Sequence, residues 1–135
     1  MSGKLEVKQS NIYGKGCFAL VPFVKGKKIA DYAGELIRGK RRIEARLRRQ
    51  RIVKIIWIND EVAIDGAVGG AETAYINHSC EPNAYMRGAP GNRIIFFALR
   101  DIKKGEEITI NYRDPEHPEK CRCGARKCRS NSRRA

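Results

Sequence analysis

The chain has 135 residues, and its 28 Lys and Arg against 15 Asp and Glu give a formal net charge of +13. This length predicts a single domain, and a hydrophobic content of 41% is enough for that domain to build its own core. No apolar run approaches the roughly 18 residues that span a bilayer, so a transmembrane protein and a membrane partner are excluded. Because residues 1–8 carry charge, we expect no secretory signal and a reducing compartment.

Short extended segments between turn residues dominate the pattern. They are rich in β-branched and aromatic side chains, which favour strands, and the run at 52–58 is predicted to be buried. The predicted strands are residues 21–32 with a break at 25–26, and residues 52–58, 62–64, 94–99 and 107–112. The predicted class is therefore mostly β, with several small sheets and one or two short helices.

A strongly basic segment, residues 38–54, is predicted to form a helix. It carries nine Lys or Arg against the single acidic residue Glu44, and Ile43 and Leu47 share one narrow apolar stripe. A second basic patch, residues 120–135, carries seven Lys or Arg and no acid. Each patch is either a solvated surface or a contact for an anionic partner.

Five cysteines, an odd number, fit a metal site better than a set of disulfides. Cys121, Cys123 and Cys128 lie within one short loop, and clustered thiolates in a reducing compartment favour zinc. A closed structural zinc site needs four ligands, and Cys80, in another turn-rich segment, is the natural fourth donor. The alternative is a set of free thiols. Cys17 is left over and is predicted to be a packed core thiol.

A Gly-x-Gly pattern near the N-terminus can bring the backbone close to a ligand. It consists of Tyr13, Gly14, Lys15, Gly16 and Cys17. Neither a long helix nor the Gly-Lys-Ser/Thr of a phosphate loop follows it, so a dinucleotide fingerprint and a phosphate loop are excluded. A plain β-turn is the alternative to a cofactor loop.

Two further segments carry polar side chains that suit a site. Residues 74–83 include Asn77 and His78, although such side chains more often satisfy backbone groups in a compact loop. Residues 105–112 end on Tyr112, and a tyrosine at a strand end is more often a packed ring than a catalyst. Neither segment alone decides between a structural and a functional role.

Taken together and in this order, these segments resemble the SET-domain protein lysine methyltransferases. The Asn-His-Ser-Cys run at 77–80 and the cysteine spacing of the tail are most similar to the trithorax-like branch, while residues 63–70 and the brevity of the chain resemble compact SET proteins of bacteria. The matching segments are residues 14–16, 32–35, 65–66, 77–83, 105–112 and the cysteine-rich tail.

The resemblance implies a SET-type fold whose C-terminal segment threads beneath another loop, a pseudoknot that brings Asn77 and Tyr112 together. It implies a SET domain over residues 1–116 and a post-SET zinc tail over residues 117–135. The four cysteines proposed above from spacing match the family's zinc ligands.

The resemblance also implies the chemistry. S-adenosylmethionine is expected as the methyl donor, held by residues 13–17, by Asn77 and by His78. Tyr112 is expected as the catalytic tyrosine, and Tyr32 is expected to line the channel that admits the substrate lysine.

The implied activity is methyl transfer to a lysine of a basic protein tail, most often a histone tail, with a basic nucleoid protein as a second substrate. A nucleic-acid contact through residues 38–54 and the C-terminal tail would reconcile the basic enzyme with a basic substrate. The compartment stays open between the nucleus, the bacterial cytoplasm and delivery to a host nucleus. The alternative from another class is a zinc-stabilised, basic chromatin- or DNA-binding module that has lost catalysis.

Overall fold

The computed structural model describes residues 3–51 and 53–111, and within them no helix is long and apolar enough to cross a membrane. Short strands and one α-helix make up the described fold. The elements are β1 (Leu5–Gln9), β2 (Lys15–Ala19), β3 (Lys28–Asp31), β4 (Glu35–Arg38), α1 (Lys40–Arg49), β5 (Ile55–Asn59), β6 (Val62–Asp65), a 3₁₀ helix (Glu72–Tyr75), β7 (Asn77–His78), β8 (Ala84–Ala89), β9 (Arg93–Ala98) and β10 (Thr109–Ile110). The mostly β class with several small sheets is confirmed.

Three of the predicted strands agree with the structure. Residues 94–99 correspond to β9, and residues 62–64 belong to β6. Residues 21–32 contain a turn ahead of β3, in which Gly26 has φ +85°. The glycine at the predicted break therefore supplies a left-handed backbone conformation that other residues rarely adopt.

Two predicted strands have different bounds. The run at 52–58 pairs only from Ile55 onward, and while Ile55 is 7% exposed, Trp57 is 38% exposed. The prediction that this run is buried holds for Ile55 and was wrong for Trp57, which lies two residues further along the same face, beyond the residues that pack against Ile43. The strand predicted over 107–112 shortens to the two residues of β10 in the described part of the chain.

Three strands have no clear signal in the sequence. β1, β4 and β8 carry charged residues on their exposed faces, so their apolar alternation is too short to stand out. Pairing with β2, β6 and β9 respectively is what makes them strands. Tertiary pairing overrides the weak local preference in each case.

The larger core lies between the β3-β9-β8 sheet and the β1-β2 hairpin. Phe96, Ile102 and Ile108 are at most 1% exposed there. Cys17 is fully buried among them, which confirms the predicted core thiol. Burial, together with the nearby carboxylates of Glu72 and Glu107, raises the pKa of the Cys17 thiol to about 12.

A second, smaller core joins α1 to the β4-β6-β5 sheet. Ile43 is fully buried against Ile37, Ile55 and Ala63, and Leu47 packs at its edge. The predicted helix and its narrow apolar stripe are therefore confirmed, although the helix is only ten residues long.

The C-terminal strand of the described chain returns to the middle of the sequence. β10 pairs in parallel with β7, with Thr109 opposite Asn77 and Ile110 opposite His78. The Ser79 N–H extends this ladder by donating to the Ile110 carbonyl at 2.9 Å. Parallel neighbours need a long connection, and residues 79–108, which include β8 and β9, supply it here. Tyr112 lies outside the described residues.

Candidate active site

Asn77 is the point at which three distant segments meet. Its side chain is 9% exposed. Its Nδ2 donates to the carbonyl oxygens of Tyr13 and Lys15, each at 3.1 Å, and to Glu107 Oε2 at 2.9 Å. The structure thus joins Asn77 to the predicted Gly-x-Gly segment by direct hydrogen bonds, across more than 60 residues of sequence.

The Glu107 carboxylate completes this junction. Both of its oxygens accept the Ser10 hydroxyl, at 2.7 and 2.8 Å, while Oε2 also accepts from Asn77. A carboxylate can accept several donors at once, so one side chain fixes Ser10 and Asn77 together. Sequence reasoning missed both Ser10 and Glu107; the doubled Glu at 106–107 marks the segment without saying which carboxylate turns inward.

Residues 10–16, which we call the N-terminal loop, have a backbone shaped by Ser10 and two glycines. The Ser10 N–H donates to the Gly14 carbonyl at 2.8 Å, and Ser10 Oγ accepts the Ile12 N–H at 2.9 Å. Gly14 has φ +45°, in the left-handed region that favours glycine. A Cβ at Gly16 would lie 2.2 Å from Glu107 Oε2, so only glycine allows this close approach.

The predicted turn at 13–17 requires one correction. Lys15 begins β2, so Gly16 and Cys17 lie in a strand and the turn itself ends at Gly14. The pattern misled because glycine at Gly16 serves a close contact and not a turn. Cys17 points into the core.

The outer face of the N-terminal loop is open. Tyr13 is 61% exposed, and a Cβ at Gly14 would have no atom within 4 Å. The backbone is hydrogen-bonded to Asn77 on one side and accessible on the other, which is the arrangement that a loop in contact with a ligand requires. These residues therefore fit the methyl donor that the resemblance implies.

His78 and Cys80 lie together at the end of β7. His78 Nε2 is 3.3 Å from Cys80 Sγ, and both side chains are partly exposed. Residues 3–51 and 53–111 contain no group of three or more His, Cys, Asp or Glu arranged to hold a metal ion. The predicted ligands Cys121, Cys123 and Cys128 fall outside the described residues, as does the predicted post-SET tail.

Tyr32 is buried beside the β4-β6-β5 sheet. Its side chain is 6% exposed, and its hydroxyl donates to the Lys54 carbonyl at 2.5 Å. The ring packs edge-on against Phe96, and a Cβ at Gly66 would lie 2.3 Å from the hydroxyl oxygen. The hydroxyl is therefore held between two backbone segments, with a defined position and little freedom.

Lys54 links Tyr32 to the segment that carries Asn77. Its Nζ donates to the Ala74 carbonyl at 2.6 Å and lies 4.4 Å from the centre of the Tyr75 ring. Burial lowers the pKa of the Lys54 ammonium. Sequence reasoning missed this residue, because a lone lysine in a β-branched run carries no signal of its contacts.

Asn83 ties the segment after Cys80 to the C-terminal strand. It is 3% exposed, its Nδ2 donates to the Glu107 carbonyl at 2.8 Å, and its Oδ1 accepts the Thr109 N–H at 2.9 Å. The structural alternative for residues 74–83 therefore holds for Asn83, which satisfies backbone groups. Asn77 does the same and, in addition, places the N-terminal loop.

Comparison with known proteins gives a family for this arrangement. Residues 14–113 match the SET domain. The chain is 37% identical over 133 residues to histone-lysine N-methyltransferase trithorax of Drosophila virilis, a match that covers 90% of this chain and 3% of that protein. It is 34% identical over 131 residues to histone-lysine N-methyltransferase 2D of Homo sapiens, covering 90% of this chain and 2% of that protein.

Solved structures agree. Polycomb repressive complex 2 of Chaetomium thermophilum contains a chain with a TM-score of 0.74 and 28% identity, covering 82% of this chain and 15% of that chain. A structure described as ctPRC2 in an autoinhibited conformation bound to S-adenosylmethionine gives a TM-score of 0.73 at 28% identity. The chain spans only a small part of each of these proteins. Because the family match covers most of the sequence and the fold agrees, the chain belongs to the SET domain family.

Proposed function

We propose that this protein is a protein-lysine N-methyltransferase that uses S-adenosylmethionine. The observation that carries the proposal is the junction of Asn77, Glu107 and the N-terminal loop, which holds an exposed stretch of backbone in one position. Support also comes from relatives named histone-lysine N-methyltransferase and from a structural neighbour bound to S-adenosylmethionine.

The substrate proposed is a lysine in a basic protein tail such as a histone tail. The names of the relatives support it, and so does a related structure described as ctPRC2 in complex with H3K27me3 and H3K27M. A basic nucleoid protein is a second substrate to test. The net charge of +13 repels any basic tail, so the protein needs a further means of approaching such a substrate.

The difficulty of the reaction is the charge on the substrate amine. A lysine with a pKa near 10.4 is neutral only about once in 2,500 molecules at pH 7, and only the neutral amine is a nucleophile. S-adenosylmethionine supplies a methyl group on a positively charged sulfur. An apolar channel lined by tyrosine disfavours the ammonium and lowers its pKa in the required direction.

In this proposal the protein's own residues position the methyl donor and remove water from around the substrate lysine. Asn77 and the N-terminal loop hold the donor, with His78 beside them. Tyr32, whose hydroxyl is already fixed by the Lys54 carbonyl, forms one wall of the lysine channel. Tyr112, with an unperturbed pKa near 10, is a poor base at neutral pH, so we assign it to orienting the amine, while the proton leaves to water.

The experiment is a methyl-transfer assay with radiolabelled donor on histones and on basic nucleoid proteins. Wild type is expected to label a lysine, and Tyr112→Phe is expected to lower kcat by about a hundredfold or more, since an orienting group is lost from the transition state. The matched control is Tyr85→Phe, whose ring stacks on Phe97 in the β8-β9 hairpin. Failure of wild type to label any protein, together with failure to bind the donor, would contradict the proposal.

We also propose a structural zinc ion bound by Cys80, Cys121, Cys123 and Cys128. Four thiolates suit a closed, tetrahedral zinc site, and Cys80 lies two residues after the strand that carries Asn77. Tying the tail to this point would place residues after 111 beside the site. The metal has no part in the chemistry.

Metal analysis tests this separately from activity. The purified protein is expected to contain one zinc ion per chain, and Cys80→Ser is expected to lower the zinc content, with Cys17→Ser as the control that leaves it unchanged. Zinc removal by a chelator is expected to abolish methyl transfer indirectly. Zinc-free protein with full activity would contradict the assigned role.

A further inference from the structure

A groove beside the β4-β6-β5 sheet is lined by arginines. It lies between β4 and α1, and its volume is about 390 Å³. The lining residues are Glu35, Leu36, Ile37, Arg38, Arg42, Ala45, Arg46 and Arg49. We call this surface the arginine groove.

The arginines of the groove divide into two kinds. Arg46 is held in place by ion pairs with Glu35 and with the fully buried Asp65, and hydrogen bonds to both carboxylates raise its pKa. Arg38, Arg42 and Arg49 are exposed, and their side chains make no hydrogen bond or ion pair with any residue of the described ranges 3–51 and 53–111. Arg46 thus neutralises Glu35, the acidic residue that lines the groove, and the other three guanidinium groups remain without an acidic partner.

Helix α1 carries this charge at a cost in stability. Its first turn contains three basic residues and no acidic one, whereas the basic residues of its last turn, Arg46, Arg48 and Arg49, interact favourably with the helix dipole. Positive charge in the first turn opposes the helix dipole, and like charges one turn apart repel. The buried Ile43 keeps the helix in place despite this repulsion. An anion bound in the groove would relieve it.

The spacing of the unpaired arginines suits a polyanion. Arg42 and Arg49 lie seven residues apart, so they share one face of α1 and are separated by about 10 Å along its axis. Each strand of duplex DNA carries a phosphate about every 3.4 Å along its axis, so this face spans about three phosphates. Each guanidinium group can donate two parallel hydrogen bonds to the oxygens of one phosphate, so arginines along one helix face can bind successive phosphates.

The lining favours nucleic acid over an acidic protein. Leu36, at 39% exposed, is the one markedly exposed apolar side chain among the described residues of the groove, whereas protein interfaces usually have an apolar or aromatic centre. We propose that the arginine groove binds the phosphate backbone of duplex DNA without reading its sequence. This goes beyond methyl transfer, and it would bring a basic enzyme to a basic substrate that occupies the same DNA.

The test measures binding of a fluorescent 20-base-pair duplex by anisotropy between 50 and 200 mM KCl, with neither methyl donor nor histone present. The variant is Arg38→Gln/Arg42→Gln/Arg49→Gln. The control, Lys25→Gln/Lys27→Gln/Lys104→Gln, removes the same charge from exposed lysines elsewhere. The arginine variant is expected to flatten the slope of log K against log[salt] by about 2.7, at 0.9 for each lost phosphate contact, and the control by less than 1.

Three results would overturn the proposal. The first is an equal change of slope in both triple variants. The second is no binding of the duplex by wild type. The third is binding of polyglutamate at least as tight as binding of DNA, which would assign the groove to an acidic protein. Thermal melting checks that the triple variant folds, and Arg49→Gln alone, with an expected change of about 0.9, replaces it if it does not. Because no methyl transfer is measured, an inactive enzyme can still pass this test.

Discussion

The active-site junction and the arginine groove treat charge in opposite ways. At the junction, the Glu107 carboxylate is satisfied by Ser10 and Asn77, and the buried Asn83 has its amide groups paired. In the groove, Arg38, Arg42 and Arg49 point outward with no partner in the described structure. A satisfied network fixes one geometry, whereas unpaired surface charge awaits a partner. The junction therefore holds its side chains in one fixed geometry, whereas the groove presents positive charge that attracts an anion.

The largest expected effect tests the support of the groove. Ile43→Ala removes a fully buried side chain from the smaller core and is expected to lower the free energy of unfolding by about 3 to 4 kcal/mol. Leu47→Ala, on the same stripe but only partly buried, is expected to cost about 1 kcal/mol. Urea denaturation followed by circular dichroism measures both. Equal losses would mean that the apolar stripe does not anchor the helix through Ile43.

A second stability prediction concerns the core beneath the N-terminal loop. Burial raises the pKa of the folded Cys17 thiol from its ordinary value of 9.0 to about 12, so the folded state holds this proton more tightly than the unfolded state does. The resulting stability is complete below pH 9 and is lost as the pH rises from 9 towards 12. At pH 10 the loss is about 1.4 kcal/mol. Comparing the free energy of unfolding at pH 8 and pH 10 in wild type and in Cys17→Ala isolates this contribution, because the other titrating groups are common to both. An identical pH dependence in the two proteins would refute it.

The smallest effect on stability is expected for Glu107→Gln, whose main effect should be on affinity for S-adenosylmethionine. Glu107→Gln removes the negative charge and replaces one of the two oxygens that accept from Ser10 by an N–H₂ donor, so the remaining hydrogen bonds to Ser10 and Asn77 are no longer charge-assisted. The N-terminal loop should loosen, and we expect affinity for S-adenosylmethionine to fall about tenfold, or about 1.4 kcal/mol.

The neighbouring Glu106 provides the matched control. It pairs with Arg100 and the Lys103 N–H at the surface, so Glu106→Gln should change donor affinity by less than about twofold. Isothermal titration calorimetry measures both. A purely structural role for Glu107 would lower the melting temperature and leave the affinity of the folded protein unchanged, which is the result that would remove Glu107 from the site.

The same two regions differ in how far the sequence predicts them. Helix α1 was predictable because Ile43 and Leu47 are four residues apart, a local spacing that places both on one face of a helix. The positive charge of the groove was predictable from the number of Lys and Arg in residues 38–54. The junction was not predictable by pattern alone. Ser10 and Glu107 lie 97 residues apart, and nothing local in either segment specifies their contact.

The role of Asn77 was predicted only in part, because its contacts are also with residues distant in sequence. The resemblance to SET proteins marked the residue, yet its three acceptors belong to Tyr13, Lys15 and Glu107, which are distant in sequence. The pairing of β7 with β10 brings Glu107 near, and a hydrogen bond from the Ile108 N–H to the Cys17 carbonyl joins β2 to the same place. The exposure of Trp57 likewise depends on how far the core around Ile43 extends along β5 and not on the strand itself. Long-range pairing is therefore what the sequence leaves unspecified.

Equilibrium binding of S-adenosylmethionine to wild type, Asn77→Ala and the turn control Asn92→Gly is the most direct test of the central claim, that Asn77 holds the N-terminal loop as a donor cradle. Asn92 has φ +57° in the turn between β8 and β9, so glycine preserves that backbone. We predict that wild type and Asn92→Gly bind the donor equally, and that Asn77→Ala, with three hydrogen bonds removed, binds at least about thirtyfold more weakly. Absence of binding in wild type, or full binding in a folded Asn77→Ala protein, would contradict the account.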